Sequence, residues 1–514
     1  MSTEHFKSYL LAVLLVFSLS FCPPRAEAAG DYNVVLIFID TLRADHLSCY
    51  GYPKQTSPNI DRLAGESVVF TENFSPISYT LPGFMSIITS LYPDSHGVLA
   101  VFKDKLSMKV TTLAEVLHMY GYKTAWFGPS SDPQTSLSAG YGRGFDETPK
   151  FPRTPEYKEK QILCDWLEAN KDKKFFLNFH TYRVHAPYFL SLEYKQKFTK
   201  EKMEGIPVTL EEYDLLVFKL IQDALVKKSG PVWDDMGDKL AAEFSAKGWF
   251  EGEATQEKLK AMNSYFLSNK QIDRWVRISK IRNTVYFLKV DPKNPAAMSY
   301  LEALYDGCIL EYDAKVIGPV MDKLKSLGLY DKTIVIICAD HGEEFGEHGH
   351  FGHGSTLYDE VIHVPLIMHF PGQQGGKKID MLTSNVDIMP TLLDLLDIPV
   401  PHQAQGKSLK DFIYGKKTEL PYAAVLGQLP NASSLHSAKW KLVVDVWGSK
   451  NLYDLSLDPG EKSNVFGDNL RLGFEMEAQL KKWETSLPFY GEKDSFPPGI
   501  DEATKERIKK TGYW

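Results

Sequence analysis

The chain has 514 residues, 43% hydrophobic and 12% aromatic, enough to bury the core of one large domain with an appendage. Its formal charge of −8 is mild and no basic stripe runs through it, which argues against nucleic acid as a partner. It holds no low-complexity tract, heptad run or internal repeat, which argues against a filament or a repeat-built binding array.

At the N-terminus, Lys7 precedes the apolar run YLLAVLLVFSLSF, followed by Pro23-Pro24 and the A-x-A-like Ala26-Glu27-Ala28. This pattern predicts a signal peptide over 1–28 and export to the periplasm or outside the cell. The run is shorter than the roughly 20 apolar residues a membrane span needs, and no later segment reads as transmembrane. Bulky Phe21 before Cys22 argues against a lipoprotein. Cys49, Cys164, Cys308 and Cys338 are far apart without a CxxC pair, so neither a zinc ribbon nor a disulfide framework is implied. Export leaves room for one or two disulfides, and the sequons at Asn73 and Asn431 bear only on a eukaryotic secretory route.

Short apolar runs suited to buried strands come in order: VVLIFID (34–40), KTAWFG (123–128), FFLNFH (175–180), TIVIICAD (333–340) and VPLIMHF (364–370). Helix-like stretches separate them, among them TTLAEVLHMYG and DAKVIGPVMDKLKSLG. This alternation predicts an α/β fold with a large, mostly parallel central sheet flanked by helices. A polar, aromatic-rich helical insertion is expected over about 190–290, with Trp233, Trp249, Phe250 and Trp275 as its own small core or a roof over the pocket. After residue 404 shorter runs such as KWKLVVDVW predict a smaller C-terminal α+β subdomain with antiparallel strands, over 405–514.

The residues at the strand ends carry the chemistry. The first run ends on Asp40, the fourth on Asp340 with His341 next, and the third leads through His180 to His185. Ligands of open α/β sheets bind beyond the carboxyl ends of the strands, so two Asp oxygens and an imidazole on that rim read as a metal site. Any one of these Asp residues alone would be read as a turn former or helix cap. In SYTLPGFMSIITSLYP, Pro82 suits a first helical turn and puts Thr80 near the N-cap. A hydroxyl at a helix N-terminus beside a divalent cation is suited to attack phosphorus or sulfur. The same residue also reads as an ordinary capping threonine, and both readings stay open on the residues alone.

The stretch VLIFIDTLRADHLSCYGYPKQTSPNIDRLAGESVVFTENFSPISYTLPGFMSIITSLYPDSHGV resembles the N-terminal signature of the sulfatase family. The run from NTVYF to ADHGEEFGEHGHFGHGSTLYDEVIHVPLIMHFPG resembles its second half, and NLYDLSLDPGEKSNVF its C-terminal segment. The resemblance implies an alkaline-phosphatase-like fold with a sulfatase-type catalytic domain over 30–404. It places Asp40, Asp340 and His341 as metal ligands, with Thr80 as a further ligand and the nucleophile. It makes His185 the group that protonates the leaving oxygen and sets His353 where many sulfatases carry a lysine. His180, His348 and His350 are lesser candidates, read as holders of the surrounding loop.

The departures are as informative. Sulfatases carry C/S-x-P-S-R, converted to formylglycine; here TLPGF puts Thr80 at the nucleophile, Gly83 at the serine and Phe84 at the arginine. Thr41 replaces the second Asp of the family's metal pair, and Pro129-Ser130 come after Gly128 where a Lys and a His are common. What remains is similar to a threonine-nucleophile branch that includes phosphonate and phosphodiester enzymes and phosphoglycerol or phosphoethanolamine transferases. The expected protein is an exported, metal-dependent hydrolase or transferase of phosphate-type esters, using one divalent ion (Mn, Mg, Zn or Ca). Its substrate would be a small-molecule, glycan or lipid-headgroup ester; the sequence leaves its oligomeric state open. The alternatives are a sulfatase working without formylglycine, and an inactive relative that only binds.

Overall fold

A computed structural model describes residues 31–99, 104–129, 137–151, 157–203, 206–209, 290–373, 375–417, 424–429 and 431–491, with isolated positions between 211 and 261. The expected signal peptide, Ser130 and the four insertion aromatics lie outside these described residues.

The central sheet has eight strands: β1 (Asn33–Ile39), β2 (Val68–Phe74), β3 (Lys123–Pro129), β4 (Lys150–Phe151), β5 (Phe175–Thr181), β6 (Thr333–Cys338), β9 (Leu366–His369) and β10 (Lys377–Ser384). Between β6 and β9 lies the small hairpin β7 (Glu344–Phe345) and β8 (Phe351–Gly352). The spatial order is β10-β2-β9-β6-β1-β5-β3-β4, with β9 alone antiparallel to its neighbours β2 and β6. All five strands expected from apolar runs are present. β2 and β10 carried no such run, because Thr71 and Glu72 interrupt the first and Lys377, Lys378 and Asp380 the second. They pair with each other toward one edge of the sheet, where polar side chains reach water.

β1 is buried on both faces, as a central parallel strand must be. Val35, Ile37 and Ile39 face a core closed by α4 (Lys158–Asn170), α5 (Pro295–Tyr312) and α6 (Gly318–Ser326). Val34, Leu36 and Phe38 face a second core under α2 (Thr80–Thr89), α3 (Leu113–Met119) and α7 (Ile388–Leu395). The one-residue alternation of a strand divides the two layers. α1 (Pro58–Ala64) is fixed at its start by Asp313, whose carboxylate accepts from the backbone N–H of Asn59 and Ile60.

A second sheet of four antiparallel strands, β11 (Ala424–Leu429), β12 (Ala432–Ser437), β13 (Trp440–Asp445) and β14 (Lys450–Asp454), packs against α8 (Leu470–Ser486). It is bolted to the main body by Lys441, whose buried Nζ lies 2.7 Å from Asp359 and 2.8 Å from Glu461. Cys49, Cys164, Cys308 and Cys338 are all free thiols. Asn73 is buried in β2 with its amide donating to Asn385 Oδ1, so the folded chain cannot present it for glycosylation, whereas Asn431 is exposed. Among the described residues no helix is long and apolar enough to cross a membrane.

Candidate active site

The register of the sheet builds the site. Phe38 pairs with His180 on one side and with Cys338 on the other. The residues two positions beyond the paired Phe38 and Cys338, Asp40 and Asp340, therefore emerge side by side at the carboxyl rim. Ligand atoms of Asp40, Asp340 and His341 all lie within 4.8 Å of one another, and all three residues are buried. Thr41 turns the chain sharply with φ of 59°, a strained conformation for a β-branched residue. Its hydroxyl folds back to donate to Asp40 O at 2.7 Å, while its N–H donates to Asp340 Oδ1 at 3.3 Å. The threonine at the family's second Asp position thus contributes a backbone donor to this corner.

Thr80 is the first residue of α2, one position inside the helix, with Tyr79 as the cap. Its Oγ1 stands 3.2 Å from His341 Nε2. Gly83 lets the helix come this close: a Cβ there would sit 3.0 Å from Asp340 Cβ and 3.2 Å from Asp340 O. His341 in turn places Nε2 3.4 Å from Asp340 Oδ2 and 3.9 Å from Asp40 Oδ1.

The imidazoles continue outward. The His353 ring lies 4.3 Å from that of His341 and 4.9 Å from that of His185, so the three expected histidines form one row leading away from Thr80. The sequence did not single out Glu343, which is fully buried and holds His353 Nδ1 at 2.8 Å while accepting from Tyr188 OH at 3.1 Å. Burial alone would lower the His353 pKa, but the Glu343 carboxylate overrides it and holds the imidazole above its ordinary value. A glutamate three residues after Asp340 in ADHGEE was the visible signal, and only the fold shows what it faces.

The lesser histidines separate. His180 sets Nε2 3.1 Å from Asp40 Oδ2, at the centre of the site. His348 lies flat on Tyr358, ring centres 3.4 Å apart, and His350 is exposed. Phe84, at the family's arginine position, stacks on Tyr141 at 4.0 Å and forms part of the wall beside His180. Among the described residues a second carboxylate–imidazole group, His46, Glu302 and Asp306, already has its cation: Lys54 Nζ lies 2.8 Å from Asp306 and 3.6 Å from Glu302.

A hydroxyl at a helix start, set among buried carboxylates and imidazoles on the rim of a parallel sheet, is the equipment of an ester hydrolase. A family model described as Sulfatase matches residues 32–398, and the chain belongs to that family. A second model, described as N-sulphoglucosamine sulphohydrolase, C-terminal, matches 346–486. An N-acetylglucosamine-6-O-sulfatase of Bacteroides thetaiotaomicron is 27% identical, over 90% of this chain and 87% of that protein. The fold is shared with a protein solved in complex with its substrate D-glucosamine-2-N,6-O-disulfate (TM-score 0.63, 20% identity, 88% of this chain and 97% of that one). It is shared equally with a phosphonate monoester hydrolase of Agrobacterium radiobacter (TM-score 0.62, 21% identity, 88% and 95%).

The family binds a divalent metal, and the residues here fit one. Asp340 Oδ2 is buried and takes no hydrogen bond. Burial pushes its carboxyl up to about 7 and the His341 imidazole well below its ordinary value. Two hard oxygen donors and a neutral imidazole converging on one point are a suitable donor set for such an ion.

Proposed function

We propose that this protein is an exported, metal-dependent hydrolase of phosphate-type esters, phosphodiesters or phosphonate monoesters, working through a covalent intermediate on Thr80. The observation that carries the reading is the placement of Thr80 Oγ1 at the start of α2, 3.2 Å from His341 and beside the two aspartates. In this reading Asp40, Asp340 and His341 hold one divalent ion, which would lower the pKa of the neighbouring hydroxyl and neutralise charge on the ester. The Thr80 hydroxyl gives up its proton to water, and its oxygen bonds to phosphorus as the bond to the leaving oxygen breaks. His185 donates its own proton to that leaving oxygen and regains one from water. The N-terminal N–H groups of α2 stabilise the anionic group, with His353, held by Glu343, as the outer cationic contact. Water then breaks the Thr80–phosphorus bond and restores the hydroxyl.

Phosphorus is preferred because threonine cannot form the aldehyde on which ordinary sulfatase chemistry depends, and because Gly83 and Phe84 replace the serine and arginine that accompany it. A second reading, direct hydrolysis of sulfate esters of sugars, is favoured by the relative named for N-acetylglucosamine-6-O-sulfate. We assign 30–404 to the catalytic domain and 405–514 to the C-terminal subdomain. The test is a panel of phosphodiester, phosphonate and sulfate esters, with mass spectrometry of the trapped protein. A phosphoryl group on Thr80 supports the proposal. Strong sulfatase activity abolished by Thr80→Ala overturns the choice of phosphorus, and a purified protein without bound metal or activity returns it to a binding role.

A further inference from the structure

Beyond the groups that touch metal or substrate in the reading above, one buried ring stands in contact with the metal cluster and has no role yet. His180 sits in β5 with its whole side chain buried, and Nε2 lies 3.1 Å from Asp40 Oδ2. Its Nδ1 is buried too and has no hydrogen-bond partner. A proton on Nδ1 would leave a donor unsatisfied in the core and turn the Nε2 lone pair onto a carboxylate, two penalties at once. With the proton on Nε2 the ring donates to Asp40, and the one atom left without a partner is the acceptor nitrogen Nδ1.

The walls around the ring are aromatic. Phe38 meets the ring edge-on with centres 4.3 Å apart. Phe84 and Tyr141 lie nearly parallel to it, at 6.2 Å and 9° and at 6.4 Å and 13°. Phe84 therefore has a structural task here, as one of the flat walls beside the His180 ring.

Resting on the metal-dependent reading, we propose that His180 is a positioning residue, which fixes Asp40 for cation binding by donating Nε2–H to Oδ2 and is itself clamped by Phe38, Phe84 and Tyr141. Partners that hold a ligand's second atom typically set metal affinity by about 10–100-fold. The measurement is Mn²⁺ affinity of the full-length protein, by competition with a chelator, alongside the melting temperature of the metal-free form. His180→Met removes the donor at similar volume and is expected to weaken Mn²⁺ binding by about 10–100-fold. His180→Gln places an amide N–H near Nε2 and is expected to restore most of the affinity. Affinity unchanged in His180→Met, or lost equally in both variants, overturns the proposal. Should His180→Met fail to fold, ¹⁵N-histidine spectra of the wild-type protein decide: an Nε2–H tautomer for His180 sustains it and an Nδ1–H tautomer overturns it. Wild-type protein that binds no Mn²⁺ sinks the metal-dependent reading as well, whereas wild-type binding that His180→Met leaves unchanged sinks only the role of His180.

Discussion

Thr80 Oγ1 and His341 Nε2 lie 3.2 Å apart although 261 positions of sequence separate them. The contact joins the first residue of a helix to the residue just past the end of a central strand, and Gly83 holds both elements at that distance. The consequences for a nucleophile, a metal site and a packed corner are separately measurable.

Thr80→Ala removes the attacking oxygen and its contact with His341, while no helix cap depends on it. We expect kcat on the best ester to fall by about 10³-fold or more with the melting temperature almost unchanged. Thr80→Ser keeps a hydroxyl and should retain measurable turnover. Equal activity in wild type and Thr80→Ala would dismiss the covalent route.

Metal removal should be reversible. Chelator treatment is expected to abolish turnover, and divalent ion at a hundredfold excess over Kd should stabilise the fold by about 2.7 kcal/mol. Asp340→Asn should lose that metal-linked rise in melting temperature, because one of the converging oxygens becomes a poorly coordinating amide. A rise of the same size in Asp340→Asn would place the ion elsewhere.

Gly83→Ser tests the corner. The new Cβ would press on Asp340 Cβ and its carbonyl oxygen at 3.0 and 3.2 Å, a strand-end backbone with little room to yield. Overpacking of this kind costs about 1–3 kcal/mol. The expected result is a lower denaturant midpoint and weaker metal binding together; a fully stable, fully loaded variant would show that α2 can retreat.

The two sheets should come apart electrostatically. Lys441→Met leaves Glu461 and Asp359 without their shared cation, expected to cost about 3–5 kcal/mol in urea unfolding. Burial alone would raise the Asp359 carboxyl, but Lys441 and His436 override it and hold it well below the usual carboxylate range. A depressed acid contributes stability that is complete above its unfolded value of about 3.9 and is lost as pH falls below that. The stability gap between wild type and Asp359→Asn should therefore be largest at neutral pH and shrink below about pH 4; a gap that widens on acidification would reverse the sign.

Much of the molecule was legible in the chain itself. β1, β3, β5, β6 and β9 are continuous apolar runs because central strands are buried on both faces, and that leaves no ambiguity of period. α3 was readable as the helix-like stretch TTLAEVLHMYG, and the structure adds its capping box, Thr112 with Glu115. β2 and β10 escaped because Glu72, Lys377, Lys378 and Asp380 break their apolar pattern. Thr41 read as a lost ligand because sequence shows only its side chain; its part in the site is a backbone N–H.

Hydrophobic periodicity and strand-end chemistry are local properties, so the fold class, the family and the residue types at the rim could be read from the chain alone. Which of those residues meet is a matter of tertiary structure. Parallel pairing of Phe38 with Cys338 and with His180 sets Asp40 beside Asp340 and under His180, and a one-residue slip would turn each side chain to the opposite face. The same holds for Glu343 behind His353 and Phe84 beside His180. Partners far apart in the chain are fixed by register and packing, which no single stretch of it encodes.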